Sequence, residues 1–297
     1  MAKIVECVPN FSEGRNQEKI EAIVGEVRKS AGVTLLDYSS DKDHNRSVVT
    51  FIGEPQAVLE AAFRLASKAA ELINMEEHHG EHPRMGATDV IPFIPVQEME
   101  MSECVALAEQ LGEKMGTDLG IPVYLYESAA RSQQRRNLAD VRRGQYEGFK
   151  EKIKDPEWVP DFGPATLHPT AGATAVGARE YLIAYNINLD TANLDIANQI
   201  ARRVREKGGG LANVKAMGVF LEDRNIAQVS MNLVNYKKTP IYRVFEMVKM
   251  EARRYGVNAL GSEVIGLVPV DALIESAEYY LQIEDFNKDS QILEKIL

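Results

Sequence analysis

Residues 33–74 read VTLLDYSSDKDHNRSVVTFIGEPQAVLEAAFRLASKAAELIN. Val33–Tyr38 and Ser47–Ile52 are short apolar runs, and the Asp, Asn and Ser residues between them favour turns, so the stretch opens as two buried strands. Pro55–Asn74 is long and rich in Ala and Leu. Its proline stands in the first turn, where a missing N–H does no harm, so it reads as a helix. Working outward, Lys3–Val8 is a strand stopped by Pro9, Asn16–Ser30 is an amphipathic helix followed by Gly32, and Val90–Val96 is a strand. The order is β-α-β-β-α-β. A helix over Met101–Leu119, a strand over Ile121–Tyr126 and a basic helical stretch over Arg135–Lys154 extend it.

The second half repeats that order. Tyr181–Ile187, Val214–Leu221, Ala227–Val234 and Glu263–Val268 read as strands, and Thr191–Lys207, Ile241–Tyr255 and Asp271–Leu281 as helices. Between the halves, Asp155–Gly177 carries Pro156, Pro160, Pro164 and Pro169 among glycines and small residues, and reads as a connection between domains. The expectation is an α+β protein of two subdomains, residues 1–178 and 179–297. Each is a ferredoxin-like α/β sandwich with helices packed on a mainly antiparallel sheet.

Composition narrows the function classes. The chain has 297 residues, 45% hydrophobic and 26% charged, enough for two ordinary domains. A formal net charge of −10 argues against a general nucleic-acid binder, although a few cations in one cleft suffice for a small anion. Cys7 and Cys104 form no CxxC pair, the N-terminus has no signal-peptide pattern, and no run of about 18 apolar residues marks a transmembrane helix. A reduced, cytoplasmic protein that binds neither membrane nor nucleic acid is expected.

Three of the five histidines, His78, His79 and His82, fall within HHGEHPRMGATD at 78–89, between a helix and a strand. Three readings compete. The segment can be a solvated polar loop. It can be a metal site of His78, His79, Glu81 and His82, although adjacent histidines rarely face one ion and the HExxH helix signature is absent. It can be an acid–base site, since an imidazole titrating near neutrality both accepts and returns a proton. Glu81 or Asp89 would then orient the ring and Arg84 would bind an anion.

Other segments carry weaker signals. VPNFSEG at 8–14 ends a strand and opens a helix, with Asn10 able to line a crevice and Ser12 or Asn16 able to cap. DYSSDKDHNRS at 37–47 offers Asp37, Asn45 and Arg46. DFGPATLHPTAGATAVGAR at 161–179 is neither a dinucleotide fingerprint nor a phosphate loop, and its uncharged middle suits packing on something flat and apolar. Arg135, Arg136, Arg142 and Arg143 form a basic run, either a solvated face or a landing surface for a polyanionic tail.

Together these segments resemble the glutamate formimidoyltransferase family. The stretches that carry the resemblance are VECVPNFSEGRN (5–16), LLD (35–37), NRSVVTFIG (45–53), GEHPRMGATDVIPFIPV (80–96), PVYLYESAAR (122–131), DFGP and GATAVGAR (within 161–179), YLIAYNIN (181–188) and IGLVP (265–269), spanning nearly the whole chain. The resemblance implies transfer of a formimino group from N-formimino-L-glutamate to tetrahydrofolate, a step of histidine degradation and one-carbon metabolism. It implies two α/β subdomains with the ligand between them, in a homodimer.

By the same resemblance His82 is the catalytic histidine, with tetrahydrofolate as co-substrate and no metal. Gly163, Pro164, Ala165, Thr166, Leu167, His168, Pro169, Thr170, Ala171 and Gly172 form the folate-binding stretch. Asn10, Asp37, Asn45, Arg46 and Arg84 are the candidate substrate contacts, with Arg46 and Arg84 as carboxylate clamps and the basic run serving a polyglutamate tail. Vertebrate members fuse this unit to a cyclodeaminase domain, and deaminase activity is not expected here. The alternatives are a non-catalytic folate-binding protein and a metal-dependent amidohydrolase built on His78–His82.

Overall fold

Pro9 decides how the first sheet begins. Its ring offers no N–H to a ladder, and the N-terminal apolar run becomes two strands, β1 (Ile4–Cys7) and β2 (Asn10–Phe11), which pair in succession with the same two neighbours. A computed structural model describes residues 2–296, divided into one unit that ends at Glu180 and another that begins at Tyr181.

In the first unit, α1 (Gln17–Arg28), β3 (Val33–Asp41), β4 (Arg46–Gly53), α2 (Pro55–Leu72) and β5 (Thr88–Gln97) complete the expected β-α-β-β-α-β order. The strands lie β3, β4, β1 with β2, β5, all antiparallel. Asn16 caps α1 by accepting the Lys19 N–H. Val5, Cys7, Val49, Phe51, Ile91 and Phe93 face α1 and α2 across a buried core. By the two-residue alternation of a strand, Asn10, Arg46 and Val48 point to the opposite face. The site is built from that face.

Three features of this unit differ from expectation. The strand read as buried over Val33–Tyr38 is the sheet edge: Val33, Leu35 and Tyr38 pack inward, while Leu36 and Asp37 are exposed. The stretch Asp155–Gly177 is more than a connection, because it runs into a strand, β7 (Thr174–Ala178). After α3 (Met101–Asp118) and β6 (Val123–Glu127), β7 inserts between β5 and β6, parallel to both. A parallel strand covered on both faces shows no polar alternation, and TAVGA, buried at every position, looked like linker for that reason.

The basic stretch Arg135–Lys154 breaks into two short helices, α4 (Leu138–Val141) and α5 (Gln145–Lys152). These cover the other face of the sheet extension, where Tyr124, Tyr126 and Ala175 meet Val141 and Phe149. Arg135 is buried there, bound to Asp161 at 2.9 Å and to the Glu157 and Val159 carbonyls, with its guanidinium over the Tyr124 and Trp158 rings.

The second unit is the plainer sandwich. Here β8 (Ile183–Leu189), α6 (Leu194–Val204), β9 (Val214–Leu221), β10 (Ile226–Leu233), α7 (Ile241–Arg253) and β11 (Ala259–Ile265) give an antiparallel sheet in the order β11, β8, β10, β9, followed by α8 (Val270–Leu281). Ile183, Tyr185, Ile187 and Leu189 alternate onto Ala197, Ile200 and Val204 of α6 and Val244 and Val248 of α7. The last strand ends earlier than expected because Gly266 takes a left-handed φ of 73°. Both units are therefore α+β sandwiches, and no helix among the described residues is long and apolar enough to cross a membrane.

A close backbone approach in the first unit joins Gly86 to Gly172, an isolated bridge. A Cβ on Gly86 would stand 2.1 Å from the Ala173 carbonyl oxygen, and one on Gly172 2.4 Å from that of Met85. Gly86→Ala should therefore destabilise the protein by roughly 1–3 kcal/mol in urea unfolding, as overpacking does. Gly25→Ala, on open helix surface with nothing within 4 Å, should stabilise it by about 0.5–1 kcal/mol.

Candidate active site

Three loops meet at one end of the first sheet, where β2 ends and β4 and β5 begin. The turn before β4 brings His44, Asn45 and Arg46, the loop before β5 brings His78, His82 and Arg84, and β2 with its exit brings Phe11 and Ser12. Asp89 of β5 completes a narrow cleft.

The frame of the cleft is polar and nearly saturated. Asn45 sits at a left-handed φ of 47°, a conformation that asparagine tolerates better than most residues. Its side chain accepts the Gly14 N–H and donates to the His79 carbonyl, both at 2.9 Å. Arg84 donates Nε–H to His78 Nδ1 at 3.3 Å, which puts the His78 proton on Nε2, facing the Asn45 carbonyl at 2.9 Å. Burial lowers the proton affinity of His78, so it stays neutral. The remaining Arg84 donors go to Gln145, to both oxygens of Glu147 and to the His78 carbonyl. Every N–H of Arg84 has an acceptor within the protein, so the clamp expected of it has no free donor to offer. Ser12, considered as a helix cap, instead donates its hydroxyl to the Gly86 carbonyl at 2.8 Å.

His82 is different. Its Nδ1 is buried without a hydrogen-bond partner, and its ring stands edge-on to that of His44, 6.1 Å between centroids. Burial, then the charges of Arg46 and Arg142, lower its pKa from 6.5 to about 4, against the opposing pull of Asp89 and the Pro83 carbonyl. At neutral pH the imidazole is an uncharged base. Asp89, weighed as its orienter, instead accepts the Met85 N–H at 2.9 Å and pairs with Arg142. Glu81 is exposed, and its backbone N–H meets the Asp43 carbonyl.

Arg46 donates to Asn10 Oδ1, and Asn10 donates in turn to the Val8 carbonyl. The Nε atoms of Arg46 and Arg142 are both buried without partners. Asp37 lies outside this group, exposed on the edge strand opposite Thr50.

The glycine-rich stretch reaches the same loop at its far end. Gly163–Thr166 is exposed, Leu167 turns inward, and His168 Nδ1 accepts the Thr170 and Ala171 N–H groups, closing a turn. The Ala171 carbonyl then accepts the Ala87 N–H at 2.8 Å, and Ala173 N–H donates to the Met85 carbonyl at 3.0 Å. The structure thus brings Asn10, Asn45, Arg46, His82 and Arg84 together, and ties Ala171 and Gly172 to the backbone behind them. It adds Arg142, a member of the basic run for which the sequence offers a solvated face or a landing surface for a polyanionic tail. The available signal was Asp89: a carboxylate opening an apolar strand needs a cation. Among the described residues no group of three or more His, Cys, Asp or Glu comes together in a way that would hold a metal ion.

The model of the formiminotransferase domain, N-terminal subdomain, matches residues 4–179, and that of the formiminotransferase domain matches residues 184–295. The chain belongs to the formiminotransferase family. It is 58% identical to the glutamate formimidoyltransferase of Streptococcus pyogenes serotype M1, over 100% of this chain and 99% of that protein. It is 51% identical to that of Thermoplasma acidophilum, over 98% and 96%. Against the formimidoyltransferase-cyclodeaminase of Gallus gallus it is 48% identical, over 96% of this chain but 53% of that protein. In formiminotransferase terms, the match to the N-terminal subdomain model takes in both the cleft and the glycine-rich stretch.

The charge state of His82 has a measurable consequence. Its folded pKa lies below its unfolded value, so the unfolded chain binds more protons between pH 6.5 and about 4. The stability gained from a neutral ring is complete above pH 6.5 and is lost as pH falls toward 4. Burial raises the Glu6 pKa to about 7, which pulls the parent's own profile the other way, so the test is the difference between two proteins. In urea melts the stability of the parent relative to His82→Asn should decline as pH falls from 6.5 toward 4.

Proposed function

We propose that this chain transfers the formimino group of N-formimino-L-glutamate to tetrahydrofolate, giving 5-formimino-tetrahydrofolate and L-glutamate, with His82 as the general acid and base. The observation that carries the chemistry is an imidazole held uncharged, with a free Nδ1, in a cleft rich in cations. Full-length identity of 58% and 51% to proteins named glutamate formimidoyltransferase supports the reaction.

The steps follow from that base. Folate N5 attacks the amidine carbon, forming a C–N5 bond and a tetrahedral intermediate. His82 takes the N5 proton and delivers it to the glutamate nitrogen as the C–N bond to glutamate breaks. One proton moves from one nitrogen to the other, and nothing is oxidised or reduced. A base poised between two nitrogens contributes about 10²–10⁴-fold, and alignment of two bound substrates contributes further. The exposed backbone of Gly163–Thr166, with its small side chains, suits the flat pterin, and the contact of Ala171 with Ala87 would hold that end of the folate stretch beside the reacting base.

A metal-dependent amidohydrolase is disfavoured because both nitrogens of His78 are engaged in hydrogen bonds. A cytoplasmic setting fits two free, buried thiols. A homodimer fits the large apolar side chains exposed on the second unit, among them Met217, Leu260, Ile265 and Val270.

His82→Ala tests the proposal. Turnover should fall by about 10²–10⁴-fold, while tetrahydrofolate binding measured by calorimetry stays within a few-fold of the parent. Full turnover in the variant would refute the role of His82, and tight folate binding by a parent chain that turns over nothing would favour a non-catalytic folate binder.

A further inference from the structure

The cleft holds more positive charge than it balances. Arg46 and Arg142 each place a guanidinium beside His82, and each is held by one side-chain hydrogen bond, to Asn10 and Asp89 respectively. Each keeps a buried Nε–H with no acceptor. Arg84 does not add to this surplus, because Glu147 neutralises it. Asp41 also acts on Arg46, but from the exposed end of β3, where it binds His44 and the backbone N–H groups of Asp43 and His44, which leaves Asp89 as the carboxylate that lines the cleft. Two guanidiniums against one carboxylate leave one positive charge in excess, with two donors aimed at nothing. Arg46 pays for this arrangement: burial, and then the charge of Arg142, lower its pKa from 12.5 to about 10.

We propose that Arg46 and Arg142 form a receptor for one carboxylate of the amino-acid substrate, adjacent to His82. The inference rests on the transfer reaction proposed above and names the binding site for its donor. A carboxylate accepts paired N–H groups from guanidiniums, and a single negative charge matches the excess. The chemistry of the donor selects which carboxylate. The nitrogen that His82 must protonate sits on the α-carbon, and the α-carboxylate is attached to that same carbon. A group that serves this nitrogen therefore has the α-carboxylate beside it, whereas the tail carboxylates of folate lie beyond an aromatic spacer from N5.

Occupancy also changes His82. The groups facing its ring are Arg46 of β4, Arg142 at the end of α4, Asp89 of β5, His44 of the turn before β4 and the Pro83 carbonyl of its own loop. A bound carboxylate offsets the two arginines and lets the ring hold the proton it takes from N5. The free protein keeps the base form, and the donor supplies the counter-charge for the protonated one.

The test uses L-glutamate as the probe and the imidazole NMR signals of His82 as the readout, in the parent, Arg46→Gln and Arg142→Lys. The lysine variant keeps a cation beside Asp89 and so protects the fold. In the parent, saturating L-glutamate should raise the His82 titration midpoint by about one pH unit or more, the expected effect of a new adjacent anion. Both variants should bind L-glutamate on the order of 10-fold more weakly, as loss of a charge-assisted contact does. Their KM for N-formimino-L-glutamate should rise while KM for tetrahydrofolate stays within about two-fold, a split that marks loss of donor binding alone.

Unchanged L-glutamate binding in both variants overturns the proposal. So does a rise confined to KM for tetrahydrofolate, which would assign the arginines to the folate tail. A chain that binds L-glutamate through these arginines yet transfers nothing supports the receptor and rejects the transferase reading.

Discussion

Two glycine backbones pressed together set the geometry of the first unit. Gly86 lies against Gly172, with the Ala87 N–H on the Ala171 carbonyl and the Ala173 N–H on that of Met85. On the other side, Ser12 binds Gly86 through its hydroxyl and Ala87 through its N–H. One extended strip, Met85–Ala87, is therefore held between the exit of β2 and the end of the glycine-rich stretch. Segments separated by 74 and 86 residues meet there. A side chain at either glycine would push these layers apart, and with them the loop that carries His82.

Above that strip, hydrogen-bond saturation separates scaffold from chemistry. Asn45, His78 and Arg84 have their side-chain polar groups paired within the protein, and they hold the loops. His82, Arg46 and Arg142 each keep a buried nitrogen unpaired. Buried polar atoms without partners are costly in a folded protein and persist where they serve function. Three of those among the described residues gather around one cleft, where burial, and then the charges of the two guanidiniums, keep His82 neutral.

Much of this could be read from the chain. The second unit was legible because Ile183–Leu189 alternates cleanly and its helices carry one apolar stripe each. The loop 78–89 was legible because three histidines in five positions exceed what a connection needs. What was hidden depended on distant partners. Arg142 reads only as part of a basic run, a solvated face or a landing surface, because its partner Asp89 lies 53 residues away. Arg84 looked available because Glu147 lies 63 residues on. The strand Thr174–Ala178 hid among small residues because burial on both faces removes polar alternation. Asp37 reads as a substrate contact because it opens a polar segment, yet it lies on an edge strand with its outer half in solvent.

The central claim is that the chain passes a formimino group between two nitrogens rather than to water. The most direct measurement incubates the purified chain with N-formimino-L-glutamate, with and without tetrahydrofolate, and follows glutamate release alongside 5-formimino-tetrahydrofolate. The account predicts that glutamate is released only when tetrahydrofolate is present, in equal amount to the folate product. Glutamate release without folate would contradict it, marking a hydrolase in place of a transferase.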